Sequence, residues 1–319
     1  MLFKSLLKAL AMVGLAGTCA LASAQGKTTR ILVAFPPGGP VDFTARTLSE
    51  QLGKELNQTV IIENKAGANG AIAAEVLLKA PADGTTLWLT SVGAVAINPA
   101  LYPNLPYNPQ SDLAPVSLVV NNVELLVVNP ASPANNPQQF INLSRQKRLT
   151  MASSGTGSVP HLAMELLASA TKGDLVHVPY KGAAPAITDV MAGHVDGFFG
   201  DIPGLIPHIR SGKLKPVALA SKRRHPLFPD IKTFEEIGVT GVDSDNWYAL
   251  FVHRNTPATD IERLNQAVRR TLTNDTVRNK LLASGAEPAP NSPAEMAALL
   301  RSDSEKWGSV IRDKKIKAD

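Results

Sequence analysis

Ala34-Phe35-Pro36-Pro37-Gly38-Gly39-Pro40-Val41-Asp42 lies between an apolar run, Arg30–Phe35, and a segment in which Ala45, Leu48, Leu52 and Leu56 recur at helical steps. The order is strand, glycine loop, helix start. Prolines stiffen the exit from the strand and give up their own N–H donors. Gly38 and Gly39 keep theirs and lack a Cβ, so a ligand can approach the backbone closely. The helix behind begins near Asp42 and points unpaired N–H groups and the positive end of its dipole at the loop. Such a place binds anions. Asp42 would repel an anion if it faced inward, so it reads as an N-cap or loop brace. Without a ligand, the same residues make a tight strand-to-helix turn.

A second stretch repeats this layout in the other half of the chain: Ser153-Ser154-Gly155-Thr156-Gly157-Ser158-Val159-Pro160-His161. Ser154, Thr156 and Ser158 each add a hydroxyl donor without adding a charge. Two such units predict two α/β lobes facing each other across a cleft. Neutral donors on both sides suit a carboxylate better than a phosphate. No G-x-x-x-x-G-K-[ST] occurs, and Gly155-Thr156-Gly157 lacks the third glycine of a dinucleotide fingerprint, which argues against ATP and NAD.

Along the rest of the chain, short apolar runs alternate with amphipathic segments, the pattern of an α/β fold with mainly parallel sheets flanked by helices. Predicted strands are Arg30–Phe35, Val60–Glu63, Thr86–Thr90, Glu124–Val128, Leu149–Ser153, Leu175–Val178, Val195–Gly200, Leu214–Ala220 and Trp247–Val252. Helical stripes follow at Ala73, Val76, Leu77 and Ala80, and at Ala163, Leu166, Leu167 and Ala170. From Thr256 the sequence reads as all helix, and Ser292-Pro293-Ala294-Glu295 has capping-box spacing with Pro at the first helical position. The proline-rich stretches Pro99–Pro109 and Asn129–Pro137 read as connections.

The chain has 319 residues, 44% of them hydrophobic, enough to bury a core in one large or two ordinary domains. Residues 1–24 form a signal peptide: Lys4 and Lys8, an uncharged run from Ala9 to Leu21, and the small-residue site Ala22-Ser23-Ala24. That run is short of the ~20 residues of a bilayer-spanning helix. Cleavage after Ala24 predicts an exported, periplasmic protein. It also removes Cys19, the single cysteine, which excludes a disulfide framework. A lipid anchor on Cys19 is the weaker reading, because Thr18 is a poor residue directly before a processed cysteine. The net charge of +5, with no basic block, argues against nucleic acid.

The same residues admit other chemistry. Ser154 or Ser158 with a histidine would make a secreted serine hydrolase, but no G-x-S-x-G elbow is present and His161 lies only three residues from Ser158. His161 reads as a brace of its own loop. His161 and Glu165 share a helical face, yet two groups without a third are a weak metal signal. In Val178-Pro179-Tyr180-Lys181-Gly182, Tyr180 can pack on a ligand and Lys181 can balance its charge or stay a solvated amine. Asp201, at a strand end where ligands of α/β sheets tend to lie, can accept from a ligand donor or hold a loop.

Taken together, "FPPGGPVDFTAR" (Phe35–Arg46), "ENKAGANG" (Glu63–Gly70), "PADGTTL" (Pro81–Leu87), "SSGTGSVPHLAMEL" (Ser153–Leu166), "VPYKGAAPAITDVMAGHVD" (Val178–Asp196) and "SGKLKPVALASKRR" (Ser211–Arg224) resemble the substrate-binding proteins of tripartite tricarboxylate transporters, the Bug family. Thr85-Thr86 departs from the family's usual aromatic-Thr pair. The resemblance implies two lobes that close on a small organic carboxylate and deliver it to permease subunits in the membrane. It implies a discontinuous first lobe, 25–124 plus 248–319, and a second at 125–247, joined by hinge crossovers. It places Phe35, Gly38, Gly39, Asp42, Ser91, Ser154, Gly155, Thr156, Gly157, Ser158, His161, Tyr180, Lys181 and Asp201 at or near the ligand. It implies neither catalytic residue nor metal nor cofactor, and a monomer. A sensor kinase ectodomain is a second candidate partner.

Overall fold

The computed structural model describes residues 27–317, so the predicted signal peptide and Cys19 lie outside the described residues. The strands are β1 (Thr28–Val33), β2 (Thr59–Asn64), β3 (Thr86–Ser91), β4 (Leu113–Asn122), β5 (Glu124–Val128), β6 (Leu149–Ser153), β7 (Leu175–Pro179), β8 (Gly197–Asp201), β9 (Lys215–Leu219), β10 (Asn246–His253) and β11 (Glu287–Pro288). The helices begin with α1 (Pro40–Leu56), α2 (Ala71–Leu78), α3 (Asn98–Leu101) and α4 (Pro109–Asp112). They continue with α5 (Pro137–Gln146), α6 (Val159–Thr171), α7 (Ala183–Ala192) and α8 (Ile202–Arg210). The last are α9 (Ala258–Thr273), α10 (Asp275–Ser284) and α11 (Pro293–Lys314).

These strands form two sheets, ordered β11-β4-β10-β3-β1-β2 and β7-β6-β8-β5-β9. In the first, β1 to β4 run one way, while β10 is inserted antiparallel between β3 and β4 and β11 pairs antiparallel to β4. In the second, β6 to β9 run one way and β5 is inserted antiparallel between β8 and β9. The mainly parallel prediction therefore holds with one inserted strand in each sheet. β5 reaches its sheet directly from the other one, whereas β10 reaches its sheet after the segment 220–245, whose one helical turn is Glu235–Ile237. Only Val123 separates β4 from β5, and no helix intervenes to turn the chain back into parallel.

Helices cover both faces of each sheet, so the strands are apolar on both sides. Ile31 and Val33 pack with Ala45, Leu48 and Leu52 of α1 and Leu264 and Val268 of α9. Leu32 and Ala34, on the opposite face, pack with Ala73 and Leu77 of α2 and with Trp88 and Trp307. Leu125 and Val127 of β5 face α7 and α8, whereas Leu126 and Val128 face α5 and α6. One apolar cluster joins the lobes: Val159, Leu162 and Leu166 of α6 are buried with Trp88, Leu101 and Trp307.

Two strands escaped the sequence reading. β4 contains Pro115 and Ser117, which break an apolar run, and it accommodates them with register shifts opposite Tyr248/Ala249 and Leu250/Phe251. β11, only two residues long, corrects the all-helix reading beyond Thr256. The capping box is present: Ser292 accepts from the Glu295 amide, Glu295 accepts from the Ser292 amide, and Pro293 opens α11.

Candidate functional site

Gly38 adopts φ +83°, a left-handed conformation open to glycine, which turns the chain from β1 into α1. Gly39 is then the N-cap of α1 in an extended conformation. Asp42 stands behind this loop. Its carboxylate accepts from Gly38 N at 3.0 Å, Arg46 Nε at 2.9 Å and Asn64 Nδ2 at 2.9 Å. Burial pushes the Asp42 carboxyl up, but these bonds outweigh it and hold the group below its ordinary value. Asp42 is a brace.

The second loop is built in the same manner between β6 and α6, with Gly155 and Gly157 at φ +135° and +80°. Ser153 Oγ accepts from Gly155 N at 3.1 Å and lies 2.6 Å from His177 Nε2. His161 accepts from Gly157 N at 3.2 Å and stacks on His177 at a ring separation of 3.9 Å. The histidine thus braces its loop, as the sequence suggested. Ser158 caps α6 without using its hydroxyl, and the buried Oγ has no hydrogen-bond partner.

Between the loops lies a cavity of about 30 Å³, lined by Phe35, Pro36, Gly39, Ser91, Ser154, Ser158, Ala183, Asp201, Asn246 and Tyr248 among others. Gly39, Ser158 and Asp201 are the N-caps of α1, α6 and α8, and Ala183 is the first residue of α7. Four helix N-termini therefore meet at one void, each with amides unpaired within its helix. The void admits only a water molecule or two. A larger vestibule of about 240 Å³ adjoins it, sharing Phe35, Pro36 and Ser154 and adding Asn69, Tyr102, Gly155, Thr156, Tyr180 and Lys181.

The lobes touch around the vestibule. Asn69 Nδ2 donates to Gly157 O at 2.8 Å, and Tyr102 Oη donates to Thr156 O at 3.1 Å. A Cβ placed on Gly182 would come within 2.6 Å of Pro36 Cδ. The cleft is closed.

The hinge strands supply the cavity floor. Asn246 Nδ2 donates to both Asp201 carboxylate oxygens, at 3.0 and 3.2 Å, and reaches Glu124 Oε1 at 3.4 Å. The Tyr248 hydroxyl also donates to Asp201. Burial pushes the Asp201 carboxyl up to about 6, against the opposing pull of the Tyr248 and Asn246 donors. Burial, reinforced by the neighbouring Asp201, raises Glu124 well above its ordinary value.

Of the residues named from sequence, the structure brings Phe35, Gly39, Ser91, Ser154, Ser158 and Asp201 together on the cavity. Gly155, Thr156, Tyr180 and Lys181 line the vestibule. Gly38, Asp42, Gly157 and His161 shape the loops from behind. Tyr180 donates to Asp189 Oδ2 at 2.6 Å, and burial, with that carboxylate beside it, pushes its hydroxyl up to about 12. Asn246, Tyr248, Asn69 and Glu124 were not singled out by sequence reasoning. The polar-aromatic start of the returning strand, Asn246-Trp247-Tyr248, is the signal that marks the first two.

Among the described residues, neither Ser154 Oγ nor Ser158 Oγ bonds to a histidine, and no helix is long and apolar enough to cross a membrane. Among them, too, no group of three or more His, Cys, Asp or Glu is placed to hold a metal.

Comparison with known proteins places this architecture. Residues 44–316 match the model of the tripartite tricarboxylate transporter family receptor. The chain is 32% identical to protein BugT of Bordetella pertussis, over 95% of this chain and 94% of that protein. The structure of R. palustris Rpa4515 with adipate superposes with a TM-score of 0.88 at 31% identity, over 92% and 98% of the two chains. MatC of Rhodopseudomonas palustris with bound malate superposes with a TM-score of 0.84 at 34% identity, over 89% and 98%. The chain belongs to the tripartite tricarboxylate transporter receptors, the Bug family of periplasmic solute-binding proteins.

Proposed function

We propose that the protein captures a small organic carboxylate in its interlobe cleft, in the periplasm, and hands it as a monomer to the permease subunits of a tripartite tricarboxylate-type secondary transporter. The observation that carries this reading is the meeting of four helix N-termini at one cavity, beside a buried Ser158 hydroxyl with no partner. Unpaired amides and an unpaired hydroxyl in a desolvated place stabilise an anion without a formal cation. Adipate and malate, named with two similar structures, are both small carboxylates.

The lobes in this proposal are residues 25–124 with 248–319, and residues 125–247. The grouping of β1 to β4, β10 and β11 in one sheet and β5 to β9 in the other supports it. Because the closed void admits so little, ligand enters when the lobes part, and it stabilises closure by its greater affinity for the closed form. The protein acts by binding, not by turnover: His161 and His177 are engaged with Gly157 and Ser153 rather than with Ser154 or Ser158.

Thermal-shift screening of the mature protein against organic, amino and aromatic acids tests the reading. A ligand at 100 times its Kd adds about 2.7 kcal/mol to stability. A response to sugars or metals with none to any carboxylate would overturn it.

A further inference from the structure

The cavity carries an unusual charge pattern for an anion site. Among the described residues that line it, Asp201 is the one ionisable side chain apart from the Tyr248 phenol, and neither lysine, arginine nor histidine joins them. The neutral donors of the lining are the serine hydroxyls of Ser91, Ser154 and Ser158, with the N-terminal amides of α1 and α6. The charged group of the lining is an acid. Asp201 is 8% exposed and caps α8 without bonding to that helix's own amides, so its carboxylate is not consumed by the cap. Asn246 and Tyr248 fix its orientation but bring no positive charge. Glu124, fully buried beside it and raised well above its ordinary value by burial, is a second carboxyl and likewise supplies no counter-charge.

A buried carboxylate without a cation is costly unless something pairs with it. An unsubstituted dicarboxylate would bring a second negative charge towards it. An ammonium group would supply the missing charge, while the ligand's carboxylate meets the serine hydroxyls. We propose that the cavity selects acids that carry a protonated amine, with Asp201 as the receptor of that amine. The inference rests on the carboxylate-binding reading and names the ligand class for the same cavity.

Isothermal titration calorimetry of the mature protein with matched pairs tests it: aspartate against succinate, glutamate against glutarate, leucine against 4-methylpentanoate, with the 2-hydroxy analogue of each amino acid as a third member. In at least one set the amine-bearing member binds at least tenfold more tightly than both analogues. Asp201→Asn reduces that preference at least tenfold and leaves the affinity for the deaminated member unchanged or improved. Ser158→Ala weakens all members alike and leaves the ratio in place. Deaminated acids that bind as tightly as their amines to the wild type overturn the inference while leaving the carboxylate reading intact. A hydroxy analogue that matches the amine also overturns it, since a neutral donor then suffices. If no acid of any kind binds to folded protein, the carboxylate reading itself has failed.

Discussion

Glu124→Gln is the most informative change at the hinge, because it removes one ionisable proton while keeping the side chain's shape. Glu124 is fully buried, and burial, together with the neighbouring Asp201, raises its carboxyl well above the ordinary glutamate value. A carboxyl raised on folding favours the folded state while both states are protonated. That contribution is fully present below the unfolded value and is lost as pH rises towards the folded one. Each pH unit over which the folded chain keeps a proton that the unfolded chain has lost costs about 1.4 kcal/mol. Asp201, raised to about 6 from 3.8, acts in the same direction over its own window. For a chain of this size, 1 kcal/mol moves Tm by roughly 2 °C. The Tm of ligand-free Glu124→Gln minus that of wild type is therefore expected to grow with pH, by up to about 3 °C per unit while the folded chain keeps the Glu124 proton. Melts followed by circular dichroism at pH 5, 6, 7 and 8 read this difference directly. A difference that stays constant with pH, or shrinks as pH rises, refutes the argument.

Further outcomes follow from the loops and caps. Gly39→Val should weaken ligand binding more than tenfold in calorimetry without unfolding the protein, because Gly39 has an extended backbone and its added Cβ meets only Pro36 O at 3.6 Å, while the residue lines the small cavity and its added bulk takes up ligand space. Gly182→Ala, at φ +117° and within 2.6 Å of Pro36 Cδ, should hold the lobes apart; a radius of gyration in solution scattering that matches wild type with and without ligand would count against this. Ser158→Ala should cost binding about 1.5–3 kcal/mol, a hydrogen bond to a charged group, with little change in ligand-free Tm, since its hydroxyl has no partner to lose. Ser292→Ala removes the capping box of α11 and should lower stability by about 1 kcal/mol in urea denaturation, with ligand affinity unchanged.

Local chemistry made much of this molecule legible in the sequence. The turns from Phe35 to Asp42 and from Ser153 to His161 carry their own instructions: glycines where φ is positive, prolines at helix starts, and braces within a few residues. Strands with uninterrupted apolar runs, such as Leu149–Ser153, could be located for the same reason. What local pattern does not carry is proximity between distant segments. Asn246 meets Glu124 across 122 residues of chain and Asp201 across 45, and neither segment holds a trace of the other. Asn69, whose amide reaches Gly157 from the opposite lobe, lies in a glycine-rich stretch that reads equally well as a plain turn. The β4 strand was hidden differently: Pro115 looks like a break until β10 is there to accommodate it.

The placement of β10 has a consequence for how the chain matures. β10 spans Asn246–His253 and sits between β3 and β4, two strands that are complete by Asn122. Until it arrives, β3 and β4 each present a bare, apolar edge, the surface through which nascent chains stick to one another. An emerging chain can finish its second sheet long before its first, because every strand of the second lies between Glu124 and Leu219. The first sheet, although begun first, is thus the last to have all its strands synthesised. A chain truncated ahead of Asn246 would retain an intact second sheet beside an unclosed first one, and would be a substrate for chaperones and proteases rather than a smaller receptor.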